Sequence, residues 1–144
     1  MQASALVSGK LLQGDKEVDS KDVLTAPIIL YYCSAHWCPP CRKFTPQLVE
    51  YYKEWNANEK RVEVVFVTFD KQEAQFKEYF GEMPWLAIPY GDERIKKLQA
   101  KLEPEGIPFL VCVDQNEKVL DDEATETVMI HKGKAADEFA KLYK

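Results

Sequence analysis

Two stretches of the chain are apolar at nearly every position: PIILYYC at residues 27–33 and VEVVFVTF at residues 62–69. Unbroken apolar character with β-branched residues predicts strands covered on both faces, since a strand with one wet face would alternate. IPFLVCV, residues 107–113, predicts a third strand, and QNEKVL after it predicts a turn into a hairpin partner. Between these runs the apolar period becomes helical. Phe44, Leu48, Tyr51, Tyr52 and Trp55 recur at helical spacing within residues 42–58. DKQEAQFKEYF predicts a short amphipathic helix ending at Gly81, and DERIKKLQAKL another, stopped by Pro104 and Gly106. GKAADEFAKLYK predicts a last helix. Weaker signals fill the gaps. Leu6–Val7, KLLQG and DKEV predict an N-terminal strand or hairpin around Gly14–Asp15, and Asp19 or Ser20 caps a short turn toward Val23. MPWLAIPY reads as irregular, with a short strand near Leu86–Ile88, and Thr127–Ile130 as a small strand.

This order predicts an α/β fold, one central sheet flanked by helices. No Gly/Ser linker or charge block divides residues 1–144, so a single domain is expected. Apolar residues make up 46% and charged residues 30%, which excludes a disordered chain. The net charge of −5 disfavours nucleic acid and anionic membrane as main partners. No apolar run reaches the roughly 18 residues of a membrane span, and the N-terminal residues lack the apolar core of a signal peptide. A reducing, cytoplasmic setting is the expectation. There a close cysteine pair is more often catalytic or metal-binding than a permanent staple.

Such a pair stands in WCPPC, residues 37–41, directly after the first buried strand and at the start of the helix that follows. Cysteines three apart at a helix start lie within disulfide reach. The outer one, Cys38, faces unpaired amides and the positive helix end, which favour its thiolate. Cys41, one turn inward, is placed to attack a mixed disulfide formed on Cys38. Pro39 and Pro40 stiffen the ring and are tolerated in a first helical turn, whose amides have no helical acceptor. Pro46 should kink the helix or loosen one turn. Trp37 offers a rigid aromatic edge, Arg42 a positive charge, and His36 a neighbouring imidazole. A zinc site is the rival, and an inert structural pair a third reading. Zinc asks for four ligands, and the remaining Cys33, Cys112 and His131 form no second pair of that spacing; both cysteines fall in predicted buried strands. Ile107–Pro108 precedes a strand-like run, and a proline there leaves the Ile107 backbone open to an extended substrate. An X–Pro bond is trans by default, so these residues alone assign no cis bond.

Longer stretches carry a resemblance. YYCSAHWCPPCRKFTPQLVEYY, VEVVFVTFDKQEAQF and YFGEMPWLAIPY, with GIPF at residues 106–109, resemble the tryparedoxin and nucleoredoxin branch of the thioredoxin superfamily. The resemblance runs from about residue 6 to residue 122. It implies a thioredoxin-like fold, a central mixed β-sheet flanked by helices. It implies a dithiol–disulfide oxidoreductase with Cys38 as nucleophile and Cys41 as resolving cysteine. Trp37, Pro39, Pro40, Ile107 and a cis Pro108 would form the substrate groove, with His36, Arg42 and Asp70 as modulators. The redox-active disulfide is then the whole redox centre, without a bound cofactor or metal. Implied partners are protein disulfides, including peroxiredoxin-type peroxidases, with trypanothione, glutathione or a reductase as electron donor. A thiol-dependent binding or chaperone module of the same fold, with little turnover, is the alternative. The chain departs from the branch at charged positions. Tyr32 stands where many thioredoxins have a buried aspartate, Lys71 and Gln72 where tryparedoxins are acidic, and Glu123 and Thr125 where they are basic. Altered use of trypanothione is therefore expected.

Overall fold

A computed structural model describes residues 8–142 of the 144-residue chain, and the expected strand residues Leu6 and Val7 lie outside them. A hairpin comes first, β1 (Lys10–Gln13) against β2 (Lys16–Asp19), turning through Gly14 at a φ of +63°. The Asp19 side chain accepts the Lys21 amide at 3.1 Å and starts α1 (Ser20–Val23). There follow β3 (Ile28–Ser34), α2 (Pro39–Trp55), β4 (Val62–Thr68), α3 (Glu73–Phe80), β5 (Leu86–Ala87) and α4 (Glu93–Leu102). The chain continues through β6 (Phe109–Asp114), β7 (Val119–Asp121), α5 (Ala124–His131), a 3₁₀ turn (Lys132–Lys134) and α6 (Ala135–Leu142).

Among the described residues the strands form one sheet in the order β2-β1-β5-β4-β3-β6-β7. The sheet is mixed: β3 pairs with β4 and β4 with β5 in parallel, while the pairs β3–β6, β6–β7, β5–β1 and β1–β2 are antiparallel. The strand period of two sorts β3 cleanly between two cores. Ile28, Leu30 and Tyr32 pack with α2, α3, α5 and α6, whereas Ile29, Tyr31 and Cys33 pack with Ile95 and Leu98 of α4. Every residue of β3 and β4 is buried, Glu63 and Thr68 included, as runs that are apolar at nearly every position require. This is the mixed sheet with flanking helices and an N-terminal hairpin expected of a thioredoxin-like fold.

Two expectations are revised. The helix starts at Pro39, as expected of the two prolines, but stops at Trp55 rather than near residue 58, because the Asn56 side chain takes over the helix end. It donates to the Tyr52 and Val62 carbonyls at 2.9 and 3.0 Å and accepts the Arg61 and Val62 amides at 2.8 and 3.1 Å. Thr127–Ile130 is not a strand but part of α5. Its β-branched residues favour a strand by propensity, yet Asp121 turns the chain first, accepting the Glu123 amide at 2.8 Å and the Thr127 hydroxyl at 2.6 Å. Ala124 and Val128, four apart, then bury one helix face while Met129 and Ile130 stay exposed.

Candidate active site

The sheet ends β3 at Ser34 and hands the chain to α2 across four residues, Ala35 to Cys38. Pro39 and Pro40 occupy the first two helical positions and carry no N–H, so Cys41 supplies the first free amide of the helix. That amide donates to Cys38 Sγ at 3.3 Å, which makes the sulfur the N-cap of α2 in the role usually held by a serine or aspartate oxygen. The Arg42 amide closes the turn on the Cys38 carbonyl at 3.1 Å, and the Cys38 amide donates to Ala35 at 3.2 Å. Cys38 and Cys41 form a disulfide with Cα atoms 5.2 Å apart. Cys41 is sealed at 0% exposure, and Cys38 keeps a sliver of 5%. The inner cysteine is shielded as the helix geometry dictates, and the outer one is far less open than its place at the helix tip suggests.

Two walls enclose it. On one side the Ile107–Pro108 bond is cis, and the Ile107 carbonyl oxygen lies 3.7 Å from Cys38 Sγ. On the other, Trp37 stands 49% exposed, its indole N–H donating to the Phe69 carbonyl at 3.1 Å. Lys71 Nζ sits 6.0 Å from the Trp37 ring centroid, within cation–π range. Pro39, Pro40 and Arg42 are exposed on the rim. His36 is half-buried, edge-on to the Tyr79 ring at 5.8 Å and 3.6 Å from Glu78. Asp70 is buried and fully engaged: one carboxylate oxygen accepts the His36 amide at 2.7 Å, the other the Thr68 hydroxyl at 3.0 Å. It braces the loop that carries Trp37 and Cys38 onto the end of β4.

Beneath the disulfide lies a group of hydroxyls, of which the sequence pointed to Tyr32 alone. Tyr32 and Ser34 come from β3, Thr45 from α2 and Tyr79 from α3, and all four are buried. The Thr45 hydroxyl donates to the Cys41 carbonyl at 3.0 Å and lies 2.6 Å from the Tyr32 hydroxyl and 2.5 Å from that of Tyr79. Ser34 reaches both tyrosines, at 3.2 and 2.6 Å. Burial, then the neighbouring Tyr79, pushes the Tyr32 phenol well above its ordinary value, so it stays neutral. The spacing Tyr32-x-Ser34 on one strand and Thr45 four residues after Cys41 was the available signal.

The remaining cysteines stand apart. Cys33 is on the sheet face opposite the disulfide, and burial pushes its thiol up to about 12. Cys112 is buried too, its thiol raised by burial and then by Asp121 and Asp114. Among the described residues no group of three or more His, Cys, Asp or Glu is placed to hold a metal ion. A thiol raised to about 12 has on the order of one thiolate in ten thousand at pH 8, and the thiolate is the reactive form. Reduced, folded protein treated with iodoacetamide at pH 8 should therefore be labelled at Cys38 and spared at Cys33 and Cys112 until denaturant is added. Peptide mass spectrometry reads the sites, and labelling of Cys33 in the folded state at the Cys38 rate would contradict this geometry.

A family model described as thioredoxin-like matches residues 27–119. Probable nucleoredoxin 1 of Arabidopsis thaliana is 41% identical over 133 residues, 89% of this chain and 23% of that protein. Tryparedoxin of Trypanosoma brucei brucei is 40% identical over 106 residues, 72% of each chain. The solved structure of tryparedoxin II complexed with glutathionylspermidine superposes with a TM-score of 0.82 at 32% identity, covering 88% of this chain and 89% of that one. The chain spans about a quarter of the length of the nucleoredoxins it matches. With the mixed sheet, the capped disulfide and these similarities together, the chain belongs to the thioredoxin-like family, closely related to the tryparedoxins and nucleoredoxins.

Proposed function

We propose that this protein is a tryparedoxin-like dithiol–disulfide oxidoreductase that reduces disulfides in other proteins. The observation that carries this reading is the Cys38–Cys41 disulfide set at the amide end of α2, with the Ile107 carbonyl beside the outer sulfur. An extended substrate lies between Trp37 and Ile107–Pro108. The Cys38 thiolate attacks one substrate sulfur; a Cys38–substrate bond forms, and the substrate's own S–S bond breaks, releasing its first thiolate. Cys41 gives up its proton to solvent and attacks Cys38 Sγ, so the mixed disulfide breaks and the second substrate thiolate leaves. Two electrons pass from the cysteine pair to the substrate, whose thiolates take protons from water, and the pair is left oxidised as seen here. The second attack is intramolecular, which keeps the mixed disulfide short-lived. Peroxiredoxin-type peroxidases are the protein substrates that the kinship with tryparedoxins favours, and a cytoplasmic setting keeps the pair cycling.

The electron donor follows from charge. A groove of about 630 Å³ runs on from Ile107 and Pro108, lined by Glu103, Glu105, Asp122, Glu123 and Glu126. The Thr125 hydroxyl, also in this groove, is taken by the Leu110 amide at 2.8 Å. Trypanothione brings glutathionyl carboxylates and a cationic spermidine link. With the glutathionyl carboxylates at this wall and the spermidine at the Trp37 wall, the placement that the tryparedoxin resemblance implies, the groove carboxylates and Lys71 repel both parts, and trypanothione is a weakened donor beside glutathione or a reductase.

A Cys41→Ser variant should accumulate mixed disulfides with its protein substrates, and a Cys38→Ser variant should lose insulin-disulfide reduction; a Cys38→Ser variant that reduces insulin at the parental rate would end this reading. For the donor, Glu123→Arg should raise kcat/KM for trypanothione by roughly 3- to 10-fold at low salt, the gain shrinking as salt screens it. No gain at any ionic strength, measured by coupled NADPH consumption, would remove charge as the determinant.

A further inference from the structure

The hydroxyl group under Cys41 admits a proton count. Four hydroxyls own four protons, and five contacts need filling: Tyr32–Thr45, Thr45–Tyr79, Ser34–Tyr32, Ser34–Tyr79 and Thr45 to the Cys41 carbonyl. The carbonyl cannot donate, so the Thr45 proton goes to Cys41. The two short contacts of Thr45, 2.6 and 2.5 Å, are hydrogen bonds only when both tyrosines donate to it; Ser34 then donates to one tyrosine at a time, and one of the five contacts is left without a proton. Thr45 is the hub, and its partners belong to β3 and α3.

The turn that Thr45 holds is short of a backbone bond. Pro46 lacks the amide that would bond the Arg42 carbonyl, one residue after Cys41. While the pair is a disulfide, the covalent ring holds this turn. Once Cys38 is joined to a substrate instead, the ring is open and Cys41 must still aim at Cys38 Sγ.

We propose that Thr45, fixed by Tyr32, Tyr79 and Ser34, is a positioning residue for the second step: it holds the turn of Cys41 against β3 and α3 while the disulfide ring is open. This rests on the oxidoreductase reading above. In that step the Cys41–Cys38 bond forms as the Cys38–substrate bond breaks, and the electron pair leaves on the substrate sulfur. In this step Thr45 exchanges no proton with a sulfur. Its hydroxyl bonds the Cys41 backbone, and the raised Tyr32 phenol keeps the clamp uncharged through the pH range in which the thiols react.

Dithiobis(nitrobenzoic acid) separates the steps, because each releases one coloured thiolate. Reduced protein mixed with a stoichiometric amount in a stopped-flow cell should give two phases. In Thr45→Val the first phase should stay within about twofold of the parent while the second slows by on the order of tenfold, the cost of a lost orienting contact. Thr45→Ser restores the hydroxyl and should bring the second phase back to within about threefold. A Thr45→Val second phase at the parental rate overturns the proposal, and so does equal slowing of both phases, which marks general damage. Should Thr45→Val fail to fold by circular dichroism, Tyr79→Phe removes one of the two donors to the hub and must show the same selective slowing. If the parent itself gives no first phase, the oxidoreductase reading fails and takes this inference with it.

Discussion

At the start of α2 a sulfur does the work of an oxygen. Cys38 Sγ accepts the Cys41 amide at 3.3 Å, the first amide the helix can offer once Pro39 and Pro40 have removed two. This one contact joins structure and chemistry. The helix needs an acceptor at its end, and an acceptor with more negative charge is a better cap. Reduction of the disulfide turns the cap into a potential thiolate, so the helix start favours the reactive form of Cys38. The position of everything else serves it. Asp70 ties the preceding loop to β4, the Ile107 carbonyl closes one wall, and the Trp37 indole, bonded to Phe69, closes the other.

The two cysteines differ because their surroundings are built by different elements. Cys38 is held by the loop and by the cap, both short-range and renewed whenever the ring closes. Cys41 is held from behind by Thr45, which is itself bonded to Tyr32 of β3 and Tyr79 of α3, with Ser34 joining the two tyrosines. A buried carboxylate at Tyr32 would supply charge there; the tyrosine supplies a neutral bond instead. The proposed substrate surface is separate again. It lies on the walls, where Lys71 beside Trp37 and the carboxylates beyond Pro108 set opposite signs on either side of the same sulfur.

Much of this was legible in the chain. PIILYYC and VEVVFVTF are apolar at nearly every position because both faces of β3 and β4 are covered, and the three-residue spacing of Cys38 and Cys41 needs a helix start to be useful. Local propensity misled at Thr127–Ile130, where Asp121, six residues before Thr127, decides the structure by turning the chain. What stayed hidden depends on distant partners. Asp70 bonds a residue 34 positions earlier, and Tyr79 meets Thr45 at the same separation, so neither role leaves a local pattern. The near-complete burial of Cys38 also comes from afar, since Ile107 lies 69 positions on. The charges of the groove were readable as residues, but their gathering along one wall required α5 to fold beside the end of α4.

The claim on which the rest turns is that the start of α2 favours the Cys38 thiolate. The pH dependence of Cys38 alkylation in the reduced Cys41→Ser protein measures it directly, followed by peptide mass spectrometry between pH 4 and pH 10. The account predicts a rate midpoint below the ordinary cysteine value of about 8.5. A midpoint at or above that value would show that burial and the two missing proline amides outweigh the helix end, and would contradict it.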